Sequence, residues 1–375
     1  MAQWGGAMED VVNPWRGRRV FLTGHTGFKG GWLSLWLASM EARIRGFALD
    51  PLTENNFFTA ASVAGLVEDI RGDVRNYADL EAAITEFAPE VVFHLAAQPL
   101  VRRSYVDPLG TYATNVMGTA HVLECIRKTP SVLAAVVVTT DKCYQNRNWV
   151  WPYRESDPLG GFDPYASSKA CAEILTAAFR DSFFPVSRLQ QHHVAVATAR
   201  AGNVIGGGDW SQDRLVPDLI QGFRARRPVL IRNPDSIRPW QHVLEPLHGY
   251  LLLAEQLLAG REQFACAFNF GPGEDDAWRV RQIANKLASL WGDQATWTND
   301  SVAGVHEDHC LRLDSSKARS ELHWQPKLDV ETTLEWTVAW FKAWLKGSDM
   351  RQESLMQISA YRALLGEAAP AASLR

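Results

Sequence analysis

The sequence predicts an α/β fold: a doubly wound parallel sheet joined to a second, smaller mixed α/β domain. Three observations carry this. Through the first 200 residues, short apolar runs that read as strands alternate with segments of helical length. The first run stops at a glycine-rich turn that opens a helix, Thr23-Gly24-His-Thr-Gly27-Phe-Lys-Gly30. After Gly202 the rhythm breaks, and Gly206-Gly-Gly208-Asp209-Trp210 reads as a loop.

Taken in order, Arg19-Val-Phe-Leu-Thr23 is an apolar run bounded by glycine, as a buried strand is. A helix follows over 32–40, then strands over 42–49 and 67–70. A helix over 78–87 ends before Pro89, which cannot continue it. Residues 91–95 form a fourth strand, 111–127 a helix and 132–139 a fifth strand. A long helix over 165–183 precedes a sixth strand over 194–200. Such alternation implies parallel strands covered on both faces. Right-handed crossovers then place a ligand at the carboxyl ends of the strands. The expected division is a dinucleotide-binding domain over 14–200, rejoined by a segment near 236–268. Residues 201–235 and 269–349 form the second domain; the later chain mixes short strands and helices, with apolar stretches at 250–258 and 333–345. Residues 350–375 read as a tail, frayed after Gly366.

Bulk composition narrows the classes. The chain has 375 residues, 46% hydrophobic and 21% charged, which is ordinary for a globular protein. A formal net charge of −4 gives no reason to expect a nucleic-acid partner, and Arg224-Ala-Arg226-Arg227 reads as a solvated helix end. The apolar run 31–38 is too short to cross a bilayer, so no membrane association is expected. No leader segment is apparent, and Cys125, Cys143, Cys171, Cys266 and Cys310 are scattered, as thiols of a reducing, cytoplasmic compartment are. His306-Glu-Asp-His309-Cys310 has some spacing of a metal cluster but no second ligand pair, so no metal is expected.

The glycine turn suits a dinucleotide. Glycines permit the tight turn and let backbone N–H groups approach a pyrophosphate at the helix N-terminus. The spacing is Gly-x-x-Gly-x-x-Gly and includes His25, Thr26, Phe28 and Lys29. Asp50, closing the second strand, is placed to accept from ribose hydroxyls, or else caps the turn before Pro51. In the first reading its charge selects NAD over NADP. Asp73-Val74 follows the third strand, within reach of an adenine, and Leu95-Ala-Ala97 supplies small residues where the cofactor lies close.

Tyr165 and Lys169 are four apart, on one helix face. A protonated lysine beside a phenol is expected to lower its pKa, giving a base that takes a proton from an alcohol.

Together these residues resemble the extended short-chain dehydrogenase/reductase family of NAD-dependent epimerases and dehydratases. Gly24/Gly27/Gly30, Asp73, His94-Leu-Ala-Ala-Gln98, Asn115-Val-Met-Gly118, Tyr165/Lys169 and Arg200-Ala-Gly-Asn203 carry the likeness. Within it, Thr140-Asp-Lys-Cys-Tyr144, Arg200–Trp210 and Ile237-Arg-Pro-Trp-Gln-His-Val243 match the branch that dehydrates a CDP-linked sugar. The resemblance implies a Rossmann fold, NAD as cofactor, CDP-D-glucose as substrate, a lyase that removes water, and a place in deoxysugar and surface-polysaccharide (O-antigen) synthesis. It implies that Tyr165 is the base, Lys169 its partner, and Thr140 a hydroxyl near the sugar C4 oxygen. Asp141 falls where the elimination acid sits. Lys142 departs from the Asp-Glu pair of related dehydratases and serves as C5 base, electrostatic stabiliser or relay. Gln98, Arg103, Asn203, Arg214, Arg238 and His242 are implied as substrate contacts. Arg103 and Arg214 read equally as surface ion-pair partners. A homodimer or homotetramer is implied. The competing readings are a nucleotide-sugar 4-epimerase, which needs no elimination acid, and a non-catalytic NAD-binding sensor, which needs neither Tyr165 nor Lys169.

Overall fold

A computed structural model describes residues 13–273, 276–292, 295–299 and 311–367. Seven parallel strands form the central sheet: β1 (Arg19–Thr23), β2 (Arg43–Ala48), β3 (Glu68–Arg71), β4 (Val91–His94), β5 (Ala134–Val138), β6 (Ala195–Ala201) and β10 (Ala267–Phe270). Their order is β10-β6-β5-β4-β1-β2-β3. The chain reverses its direction of travel between β1 and β4, the place where an open parallel sheet leaves a crevice at its carboxyl edge.

Side chains alternate across the sheet. Val20, Leu22, Phe93, Val136 and Ala197 point to one face, where Trp32, Leu33, Leu247 and Leu251 of helices Phe28–Ser39 and Leu244–Leu258 cover them. Phe21, Val92, Val137 and Val196 point to the other, under Leu80, Ile84, Val122 and Ile126. Both layers are dry, so the strands read as continuous apolar runs.

The second region is built on two small sheets. β7 (Asn203–Ile205), β9 (Ile237–His242) and β11 (Ala277–Arg279) form one, in the order β11-β9-β7. β8 (Val229–Ile231) pairs with β12 (Trp297–Asn299) in the other. Helix Val330–Leu345 ties them to the first region, because Trp340 stacks on Phe57 at 6.1 Å and meets Trp210 at 5.6 Å.

Two expected boundaries move. The segment that rejoins the main sheet is the helix Leu244–Leu258 with β10, whose Asn269 and Phe270 pair with Arg200 and Ala201. β9 belongs to the small sheet instead. Residues expected to be tail contain the helix Met350–Leu364, capped by Asp349, with Ile358 and Tyr361 buried against Trp36. Burying those apolar side chains, each about 1.5–3 kcal/mol, explains why the helix docks rather than frays.

Candidate active site

The glycine turn is fixed by close approach. Gly24 has φ +80°, and a Cβ there would lie 2.7 Å from the Ala96 nitrogen. A Cβ at Gly30 would lie 2.1 Å from the Gly24 oxygen. Gly27 then begins the helix Phe28–Ser39 with no side-chain cap, leaving its first N–H groups for a ligand. Below the turn, Thr23 Oγ1 meets His94 Nδ1 at 2.7 Å and accepts from Ala96 N at 3.2 Å. His94 Nε2 meets Thr119 at 3.0 Å. This brace between β1, β4 and the next helix was not anticipated from sequence.

A cleft of about 1290 Å³ runs along the carboxyl edge of the sheet. Single ligand pockets span roughly 300–1,000 Å³, so this one has room for a dinucleotide and a second nucleotide together. The expected cofactor residues Gly24, Thr26, Gly27, Phe28, Lys29, Gly30, Asp50, Asp73, Val74, Leu95, Ala96 and Ala97 line it. Asp50 lies 3.6 Å from Arg71 and is largely exposed, while Asp73 is gripped by Arg75 at 2.8 Å, which holds its carboxyl below the usual range. Burial pushes the Lys29 ammonium down to about 7, with Arg214 and Lys169 adding repulsion.

Tyr165 and Lys169 stand on the helix Pro164–Phe183, which starts sharply because Asp163 accepts from Ala166 N at 2.8 Å and Pro164 sits in its first turn. Thr140, Asp141 and Lys142 occupy the single turn that follows β5. Thr140 Oγ1 donates to Asp141 Oδ1 at 3.0 Å and accepts from Lys142 N at 3.4 Å. Lys169 Nζ donates to the Val138 carbonyl at 3.2 Å. All five side chains line the cleft. Burial pushes the Asp141 carboxyl up, against the pull of Lys142, the Thr140 hydroxyl and Arg238.

The expected lowering of the Tyr165 pKa is corrected. Burial drives the phenol up to about 12, opposed by the Thr140 hydrogen bond and Arg214. Burial also brings Lys169 down to about 8, although Glu173 pulls the other way. Burial thus favours the neutral form of both groups.

Three more expectations are corrected. His25 is fully buried: its Nε2 meets Asp69 Oδ1 at 2.7 Å, and a Cβ on Gly46 would strike its ring at 2.3 Å. Its side chain faces away from the cleft, so only its backbone belongs to the turn. Gln98 folds back on its own loop, bonding Leu100 N at 2.7 Å and Thr111 Oγ1 at 2.9 Å. His242 is enclosed between Trp32 and Trp336, with ring centroids at 6.1 and 5.6 Å. Neither lines the cleft: Gln98 is held by its loop and His242 by the surrounding rings. Arg103, Asn203, Arg214 and Arg238 do line it, Arg214 paired with Asp209 at 3.0 Å.

Asn115 is the fastener that spacing alone did not reveal. It sits in a wide helical turn, Ala113–Met117. Its Oδ1 accepts from Gln98 N at 2.8 Å, and its Nδ2 donates to Ser168 at 2.9 Å. The loop after β4 is thereby tied to the catalytic helix. Such widened turns recur at functional sites.

The family model described as GDP-mannose 4,6 dehydratase matches residues 21–337. The chain belongs to that family. It is one of the extended short-chain dehydrogenases/reductases. A CDP-glucose 4,6-dehydratase of Salmonella typhimurium is 52% identical over 349 residues, covering 93% of this chain and 97% of that protein. A probable dTDP-glucose 4,6-dehydratase of Sinorhizobium fredii is 26% identical, covering 85% and 92%. Among solved structures, dTDP-glucose 4,6-dehydratase of Bacillus anthracis in complex with NAD superposes with a TM-score of 0.72 at 22% identity, covering 89% of this chain and all of that one. A UDP-glucose 4-epimerase of Thermotoga maritima with UDP-glucose gives 0.72 at 21% identity, covering 87% and 99%. At those identities the structural likeness bears on the fold.

Among the described residues no group of three or more His, Cys, Asp or Glu is arranged to hold a metal. The segment 306–310 lies outside them. No described helix is long and apolar enough to cross a membrane.

Proposed function

We propose that this protein is an NAD-dependent hydro-lyase that converts CDP-D-glucose to CDP-4-dehydro-6-deoxy-D-glucose and water. The observation that carries the reading is 52% identity over 93% of the chain to a dehydratase of that substrate. The site supports it in kind, because Thr140, Asp141 and Lys142 share one cleft with Tyr165 and Lys169.

The turn at Gly24, Gly27 and Gly30 fits a pyrophosphate, since the glycines let the backbone close tightly and the helix that starts after Gly27 has no side-chain cap on its first N–H groups. Asp50, Asp73 and Val74 line the far end for the adenosine, and Leu95 to Ala97 lie along its path. NAD, bound there, would supply the hydride acceptor for the sugar C4 and the hydride donor for C6. Tyr165 takes the C4 hydroxyl proton, and Thr140 holds the same oxygen. Burial holds the phenol up at about 12, so positive charge beside it is what makes it a base. A ketone at C4 makes the C5 hydrogen acidic. Asp141, whose carboxyl burial pushes up, gives its proton to the C6 hydroxyl, which leaves as water. Lys142 is the turn's candidate for the C5 proton: as the free amine it takes that proton, and as the resulting cation it stabilises the enolate and gives the proton back to C5 when C6 receives hydride. Arg103, Asn203, Arg214 and Arg238 line the half of the cleft where a nucleoside diphosphate would lie, and a guanidinium matches phosphate geometry.

A cytoplasmic homo-oligomer belongs to the same reading. Leu109, Met117, Ile174 and Phe183 are exposed on neighbouring helical segments, and Tyr112 and Ser167 touch at 2.5 Å between them. Burial of that apolar face against a second copy is its simplest use. The product would feed deoxysugar synthesis for surface polysaccharide.

The test is incubation with CDP-D-glucose, without and with added NAD, followed by mass spectrometry. Loss of one water per sugar supports the dehydratase. An unchanged mass with a new C4 isomer indicates the 4-epimerase, and no change with any sugar nucleotide indicates a binding protein.

A further inference from the structure

Beneath the cleft lies a buried ion pair with no part in the chemistry described so far. Glu173 and Arg200 are each only 3% exposed, and Arg200 Nη2 donates to Glu173 Oε2 at 2.7 Å. A buried pair of this kind adds little net stability, because desolvating two charges costs about as much as their attraction returns. Its value lies in what it holds. Glu173 Oε1 accepts from the Thr139 hydroxyl, the residue before Thr140. Arg200 Nη1 donates to the Tyr144 hydroxyl at 2.7 Å, two residues after Lys142. Tyr144 passes the chain on to Asn269 Oδ1 of β10 at 2.7 Å. Glu173 itself stands one helical turn beyond Lys169 on the same helix.

We infer that the Glu173–Arg200 pair is a positioning clamp: it grips both ends of the turn carrying Asp141 and Lys142 and sets that turn against the helix carrying Tyr165 and Lys169. The two halves of the site need this differently. Tyr165 and Lys169 are fixed relative to each other by their own helix. Asp141 and Lys142 lie in a single turn of Asp141–Cys143, and nothing in its three-residue backbone ladder fixes it to that helix. The clamp therefore acts on water elimination more than on C4 oxidation. The inference rests on the dehydratase reading proposed above.

Thr139→Val and Tyr144→Phe each cut one end of the clamp while leaving the ion pair intact, and Tyr144→Phe keeps the ring stacked on Tyr153 at 5.2 Å. Thr139→Ser keeps the hydroxyl. In a quenched single turnover with CDP-D-glucose and NAD, mass spectrometry separates three sugars: substrate, the 4-keto sugar that has lost two hydrogens, and the product that has lost water. In the first two variants the 4-keto sugar should form at a near wild-type rate and decay about 10- to 100-fold more slowly, so that it accumulates. Thr139→Ser should match wild type. Melting curves identify any variant whose fold is lost, and the other variant then decides. Folded variants in which both steps slow by the same factor, or in which neither changes, overturn the clamp. Wild-type protein that leaves CDP-D-glucose untouched removes the dehydratase reading itself, and the inference with it.

Discussion

Thr140 Oγ1 donates to Asp141 Oδ1 at 3.0 Å, and both line the cleft with Tyr165. The residue that caps the turn thus holds the group that would expel water. Asp141→Asn preserves the shape and the Thr140 contact but has no acidic proton to give. The variant should still oxidise C4 and should release water about 100-fold more slowly or worse. Mass spectrometry of the sugar nucleotide would then find the 4-keto sugar in place of product. Wild-type product formation would remove Asp141 from its role.

Lys169 carries the pH prediction. Burial holds its ammonium at about 8, so the cation is present below that value and is lost as pH rises through it. If the cation is what steadies the Tyr165 phenolate, kcat/KM should fall on the alkaline side with a midpoint near 8. Lys169→Arg places a charge that does not titrate in this range. Its activity should be lower, since the planar guanidinium fits a lysine site poorly, but the alkaline fall should vanish. A pH–rate profile of both proteins decides. An unchanged alkaline limb in the arginine variant assigns that limb to another group.

The alternation of strands and helices was legible because β1, β4, β5 and β6 are short apolar runs, whereas β2 and β3 carry charged residues and followed from the rhythm of the rest. β10 was less so: Ala267–Phe270 is four residues long and lies far along the chain from its partner β6. Nothing local announces such a pairing. The cleft residues could be named because a motif fixes where the backbone goes. It does not fix where a side chain points, and so His25 and His242 turned out to face the interior and Gln98 to fold onto its own loop. Glu173 was visible only as an acid four residues after Lys169. Its partner Arg200 is 27 positions away, and no periodicity connects them.

Gly24 offers a test of the turn apart from catalysis. Its φ of +80° is strained for any side chain, and a Cβ would press on Ala96. Gly24→Ala should cost roughly 1–3 kcal/mol in stability, the usual range for a residue forced into that conformation. It should also weaken NAD binding, since β1 and the loop after β4 must part. Denaturant melts with NAD titration by calorimetry check both. Wild-type affinity in a destabilised variant would separate the turn from the cofactor.

Glu245 holds the last helices in place, and its titration gives a sign that can be checked. It is fully buried; Oε1 accepts from Lys327 N at 2.8 Å and Leu328 N at 2.7 Å, and Oε2 accepts from the Tyr361 hydroxyl at 2.7 Å. Desolvation outweighs these donors and raises the carboxyl from 4.5 to about 7. Between those values the folded chain binds more protons than the unfolded one. The contribution is therefore fully present below about 4.5 and is lost as pH rises through about 7, at most about 3 kcal/mol. Glu245→Gln keeps an acceptor for both backbone N–H groups and an amide for Tyr361, and it does not titrate. Glu255, raised to about 7 beside Trp15, is common to both proteins and cancels in the comparison. The stability of the glutamine variant relative to wild type should therefore improve on going from about pH 5 to about pH 8, as measured by urea unfolding at each. A difference that stays constant across that range would mean that Glu245 is charged throughout, with its three donors overcoming burial.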